Sequence, residues 1–93
     1  MTVGFEQRVF EVIREVAQVE DGVVSDDTAL IGDGGMLDSM KLVEVCLLLE
    51  DVASAHNRSF DWTSDSAMSR SRSIFRTAGS LAAEFANQMQ RSQ

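Results

Sequence analysis

Apolar residues recur along the first stretch of the chain at alternating intervals of four and three: Phe5, Val9, Val12, Val16 and Val19, with Ile13 widening the stripe. Gln7, Arg8, Glu11, Arg14, Glu15 and Gln18 fall away from it. This is the period of an amphipathic helix with one face on a core, and it predicts a helix over 3–19. Asp21-Gly22 supplies a stop. A second helix is predicted over Ser39–Ala55, with Asp38 as its N-cap, because a carboxylate there can accept an unpaired amide of the first turn. Leu42, Val45, Cys46, Leu49 and Ala53 form its inward stripe. Met40, Val43 and Leu47 form another strip, flanked by Glu44 and Asp51. A helix with a second apolar strip beside acids keeps surface for a partner. A last helix is predicted from near Thr77, its N-cap, to about Gln90, with Ala78, Leu81, Ala82, Phe85 and Met89 facing inward.

The segments between these helices differ in kind. Residues 21–38, DGVVSDDTALIGDGGMLD, read as a long connection broken by glycines at 22, 32, 34 and 35. Leu30, Ile31 and Leu37 within it are expected to fold back onto the core, and a long loop in a small domain is often functional. Residues 54–73 are polar, with Phe60 and Trp62 expected to pin them to the bundle and SDSAMSRSRS leaving room for a short helical turn. No strand-like alternation of any length and no internal repeat is visible. The expectation is one domain over 1–93, all-α, a small bundle of three main helices with room for a short fourth.

Charge narrows the partners. Fifteen Asp and Glu stand against eight Lys and Arg, for a net charge of −7. Phosphates would be repelled, which argues against nucleic acid, while basic partner surfaces would be steered in. The single cysteine, Cys46, can form neither an internal disulfide nor a thiolate metal site by itself. The start, MTVGFEQRVF, lacks a basic segment followed by an apolar run, and Thr2 occupies the place a myristoylated glycine would need. No apolar stretch is long enough to span a bilayer, so a cytoplasmic protein without membrane insertion is expected.

The chemistry concentrates where the second helix begins. Ser39 follows a glycine-rich approach and opens the first turn, so its hydroxyl is expected to be exposed. A negative group attached there lies at the positive end of the helix dipole, where a phosphodiester is favoured. The run GGMLDSMKLVEVCLLLED resembles the modification site of acyl and peptidyl carrier proteins, whose mark is Asp-Ser-Leu or Asp-Ser-Met opening the second helix of a four-helix bundle. Asp38-Ser39-Met40 matches it, Leu42-Val43-Glu44 resembles the usual continuation, and Glu50-Asp51 the acidic end of that helix. Phe75 and Thr77 resemble the family's entry to the last helix. The specific part of the resemblance is 34–51; the remainder is helix order and spacing.

The resemblance implies a function. A phosphopantetheinyl transferase would place the 4′-phosphopantetheine of coenzyme A on Ser39, and the terminal thiol would carry an acyl or aminoacyl group as a thioester. The carrier itself would be no enzyme and would usually be a monomer. Its partners would be an acyl- or aminoacyl-loading ligase and downstream acyl-processing enzymes, met by Met40, Val43 and Leu47 with Glu44, Glu50 and Asp51 facing their Arg and Lys. An apolar centre with a charged rim suits such transient contacts. Lys41 departs from the family, which often has an acid there, and hints at a specialised carrier. Gly35 to Met40 particularly resembles stand-alone carriers loaded by an adenylating ligase, such as D-alanyl carrier proteins. The alternative is an unmodified acidic helical interaction module with a carrier-like fold.

Other candidate chemistry is weaker. Cys46 lies on the inward stripe, where cysteine packs as a small hydrophobe. His56 with Asp38 and Ser39 would suggest a hydrolase triad, but no Gly-x-Ser-x-Gly elbow is present and a helix length separates His56 from Ser39. Asp26, Asp27 and Asp33 do not have the spacing of a calcium loop. The Ser-Arg run at 69–73 reads as a solvated loop in a chain of net negative charge.

Overall fold

In the computed structural model, residues 4–19, 24–32 and 34–90 are described. The helix stop expected at Asp21-Gly22 and the acid Asp33 lie outside the described residues. Three long helices, α1 (Phe5–Ala17), α2 (Ser39–Ala55) and α5 (Ala78–Gln90), carry the fold. Two short ones, α3 (Asp65–Ser69) and α4 (Ser71–Ile74), lie between α2 and α5. The protein is a small all-α bundle, as its periodicity predicts. The described residues hold no strand, only an antiparallel bridge between Ala29 and Thr77. Among them no helix is long and apolar enough to cross a membrane.

Helix α1 packs against both α2 and α5. Val9, Val12, Ile13 and Val16 are buried on it, facing Val45, Leu49, Val52 and Ala53 of α2 and Leu81, Ala82, Phe85 and Met89 of α5. Phe85 is fully buried, with Phe60 edge-on at 5.1 Å and Phe5 at 6.0 Å. Such edge-to-face pairs contribute beyond the area they bury.

The first helix is shorter than its apolar period. It stops at Ala17 because Gln18 takes a left-handed conformation at φ 60°. The Gln18 and Val19 amides then both donate back to the Arg14 carbonyl, closing the last turn. Val19 is left half-buried beyond the helix.

The connection before α2 returns to the core as expected: Leu30 and Leu37 are buried, and Ile31 packs against them in part. Its backbone also completes α5. An α-helix begins with amides that have no partner inside the helix. Here Ala78 donates to the Thr28 carbonyl at 2.9 Å and Gly79 to the Asp26 carbonyl at 3.0 Å. Ser80 donates to Thr77 Oγ1 at 3.1 Å, confirming Thr77 as the cap, while Thr77 donates to Ser80 Oγ at 3.0 Å.

The short helical turn for which SDSAMSRSRS left room is present as α3 and α4, and they take in the Ser-Arg run at 69–73 except Arg70 between them, which corrects its reading as a loop. Asp61 accepts both the Ser64 amide and hydroxyl, and Ser64 Oγ in turn accepts the Ala67 amide, starting α3. Ala67, Ile74 and Phe75 are buried and draw the segment onto the bundle. Arg70 forms a two-pronged pair with Glu84 of α5, 3.3 and 3.2 Å.

Candidate functional site

The start of α2 is fixed from two sides. Asp38 is extended at φ −86°, ψ 178°, and its Oδ1 accepts the Lys41 amide at 2.8 Å. Its carbonyl accepts the Leu42 amide at 2.9 Å. From the other side, Lys41 Nζ donates to the Val16 carbonyl at 3.3 Å, in the last turn of α1. A cation there complements the negative end of the α1 dipole. The lysine that departs from the carrier pattern is therefore half-buried and tied into the bundle.

Between these two fastenings Ser39 is exposed at the first position of α2. Among the described residues none forms a hydrogen bond with its hydroxyl, nor with the amides of Ser39 and Met40. The Asp38 carboxylate at the cap is the acid at that end, and it is engaged by the Lys41 amide; within the first turn itself there is no acid. An exposed hydroxyl beside open first-turn amides can accept a phosphoryl group and hold its negative oxygens.

The apolar strip beside it lies on the surface. Met40 is 81% exposed, Val43 42% and Leu47 50%, and with Met68 of α3 at 58% they are the exposed large hydrophobics among the described residues. Glu44 and Asp51 are exposed along the same helix. Glu50 is exposed too, and it accepts a hydrogen bond from Trp62 Nε1. That pairing, like the one between Lys41 and Val16, joins residues distant in sequence and left no mark in it.

Two recesses meet at Val43. A shallow hollow is lined by Ser39, Met40 and Val43. A deeper groove of about 230 Å³ runs between α2 and the segment after it, lined by Ile31, Leu42, Val43, Cys46, Trp62 and Phe75, with Met68, Ser71 and Arg72 at its border. Leu42, assigned to the core from sequence, is half-buried on this groove. The sequence did not reveal the groove, since its walls come from four separate segments.

The remaining candidates take structural roles. Cys46 is fully buried, and its thiol is pushed up to about 12, first by burial and then by the charge of Glu50. A thiol held protonated is inert as a nucleophile. His56 is exposed beyond the far end of α2, its ring edge-on to Phe5 at 5.2 Å. The helix between places it about 25 Å from Ser39 along the axis, so the two cannot form a triad. No group of three His, Cys, Asp or Glu among the described residues could hold a metal ion.

Comparison of the chain with protein-family models, with curated proteins and with solved structures gives no match in any of the three. The functional reading therefore stands on the site itself and on the resemblance of its motif.

Proposed function

We propose that the protein is a carrier, with a 4′-phosphopantetheine arm on Ser39 that holds an acyl or aminoacyl group and presents it to partner enzymes. The observation that carries this reading is an exposed, uncommitted Ser39 hydroxyl at the head of α2, next to an exposed apolar strip. In the loading step, Ser39 Oγ bonds to the phosphorus that bears the pantetheine in coenzyme A. The P–O bond to 3′,5′-adenosine diphosphate breaks, and the serine proton passes to a base of the transferase. The arm, once attached, supplies a thiol that carries its cargo as a thioester. A tethered cargo meets successive enzymes at high effective concentration.

The chain's own residues do the rest. Asp38 holds the first turn, the open amides of Ser39 and Met40 would hold the phosphodiester oxygens, and Met40, Val43 and Leu47 with Glu44, Glu50 and Asp51 would form the docking face. The transferase, a loading ligase and acyl-processing enzymes are the partners this face would meet. An adenylating ligase of the D-alanyl-carrier kind is the loading enzyme favoured by the run Gly35 to Met40.

The test is intact mass after incubation with coenzyme A, magnesium and a broad-specificity phosphopantetheinyl transferase. One phosphopantetheine is gained by the wild type and none by Ser39→Ala, which stays folded by circular dichroism. A folded wild type that gains nothing would overturn the reading for that transferase and shift the assignment to an unmodified interaction module using the same face.

A further inference from the structure

The turn that bears Ser39 has no buried side chain of its own. Ser39 and Met40 are exposed, Lys41 and Leu42 are half-buried, and the first buried residue of α2 is Val45. A turn with few buried apolar contacts opens at lower cost than the rest of its helix. Asp38 closes this turn on itself, its carboxylate accepting the Lys41 amide and its carbonyl the Leu42 amide, but neither bond ties it to the bundle. Among the described residues, the hydrogen bond that joins the turn to α1 runs from Lys41 Nζ to the Val16 carbonyl. That carbonyl is one of the last four of α1, which have no amide to bind within the helix. The Gln18 and Val19 amides turn back to Arg14 instead. Lys41 thus supplies a donor at the negative end of α1, and its charge is spent inside the fold.

We propose that Lys41 is a positioning residue for loading at Ser39. By clasping the end of α1 it holds the first turn of α2, and with it the Ser39 hydroxyl, in one orientation. The inference rests on the carrier reading above. Lys41 acts through the turn and touches neither the transferase nor coenzyme A. A hydroxyl held in place spends more of its time in line with the phosphorus, so the effect falls on the chemical step. Loss of the clasp lowers kcat, while the exposed strip and acids of α2 keep KM. The sign of the charge matters as well. A carboxylate at position 41 would face the negative end of α1, so the acid that many carriers have there would harm this one.

The experiment is steady-state transfer of phosphopantetheine from coenzyme A to the full chain by a broad-specificity transferase, with backbone amide exchange followed on the unloaded chain. Lys41→Met lowers kcat about three- to tenfold, the scale of one part-exposed hydrogen bond, and changes KM less than about twofold. Lys41→Arg restores most of the rate, since a guanidinium can donate to the same carbonyl. Lys41→Glu loads no faster than Lys41→Met. Exchange of the Leu42 amide quickens in Lys41→Met, while that of Val52, far along the same helix, does not. Arg8→Gln, which removes a positive charge from α1, leaves kcat unchanged. The proposal is overturned if Lys41→Met loads as the wild type does, if the change lies in KM alone, or if Lys41→Glu loads faster than the wild type, as a partner contact at this position would. Those outcomes leave the carrier reading standing, whereas a wild type that takes no arm overturns both. Should Lys41→Glu fail to fold by circular dichroism, Lys41→Met against Lys41→Arg decides.

Discussion

Gly35→Ala should be the most damaging small substitution near Ser39, for a reason visible in the backbone. Gly35 closes a turn by donating to the Gly32 carbonyl at 3.0 Å, and the next two amides donate to Ala29 and Leu30. This pairing brings the chain to Leu37 and the Asp38 cap. A Cβ on Gly35 would sit 2.8 Å from the Ile31 carbonyl carbon, 2.8 Å from the Leu30 oxygen and 2.9 Å from Ile31 Cα. All three are backbone atoms, so no rotamer change relieves the clash. Forced overpacking of this kind costs about 2–3 kcal/mol. Gly34→Ala is the matched comparison. Gly34 has φ +75° but open space around the new Cβ. Its cost is about 1 kcal/mol of left-handed strain, reduced by about 0.5 kcal/mol through the stiffer unfolded chain. With a urea slope of roughly 1 kcal/mol per molar, Gly35→Ala moves the denaturation midpoint down by roughly 2 M and Gly34→Ala by roughly 0.5 M. Equal shifts in the two variants would refute the close approach of Gly35 to Leu30 and Ile31, and with it this account of how α2 is positioned.

Two further outcomes follow from the same region. Asp38→Ala removes the acceptor of the Lys41 amide and lowers stability by about 1 kcal/mol in urea denaturation, while Asp38→Asn keeps most of it. Cys46 makes stability fall at alkaline pH. Its folded thiol is pushed up to about 12 from an ordinary 9.0, so between those values the unfolded chain sheds a proton that the folded one keeps. Its contribution is complete below pH 9 and is lost at about 1.4 kcal/mol per pH unit above it. Urea midpoints measured at pH 8 and pH 10 should show this component in the wild type, and Cys46→Ala should remove it.

The long helices were legible because each follows one simple rule. The α1 and α5 stripes keep the 3.6-residue period, and Asp38 and Thr77 are cap residues that need no tertiary context. The loop was legible in part: Leu30 and Leu37 had to be buried somewhere, but their pairing with Arg76 and with each other's backbone depends on α5 lying alongside. The Ser-Arg run misled because its composition is that of a solvated loop. What precedes and holds it is α3, capped by Ser64, and a buried acid, Glu84, which pairs with Arg70 from more than ten residues away. Ser39 was legible as an exposed first-turn residue, whereas the groove below Val43 was not. Pairings such as Trp62 with Glu50 have no periodicity and no fixed spacing, so nothing local announces them.

Lys41 shows how a departure from a motif can be resolved inside the fold. Read along α2 alone, a lysine two places after Ser39 puts a positive charge where acidic docking is expected. The structure turns that charge inward, because α1 stops at Ala17 and leaves the Val16 carbonyl within reach of Nζ. An acid at this position would point at the negative end of α1 and be repelled. The lysine thus suits an α1 that ends beside the start of α2, and it removes a positive charge from the exposed face instead of adding one. Glu44, Glu50 and Asp51 remain as exposed acids on the helix that bears Met40, Val43 and Leu47, so the face beside Ser39 is still suited to a basic partner.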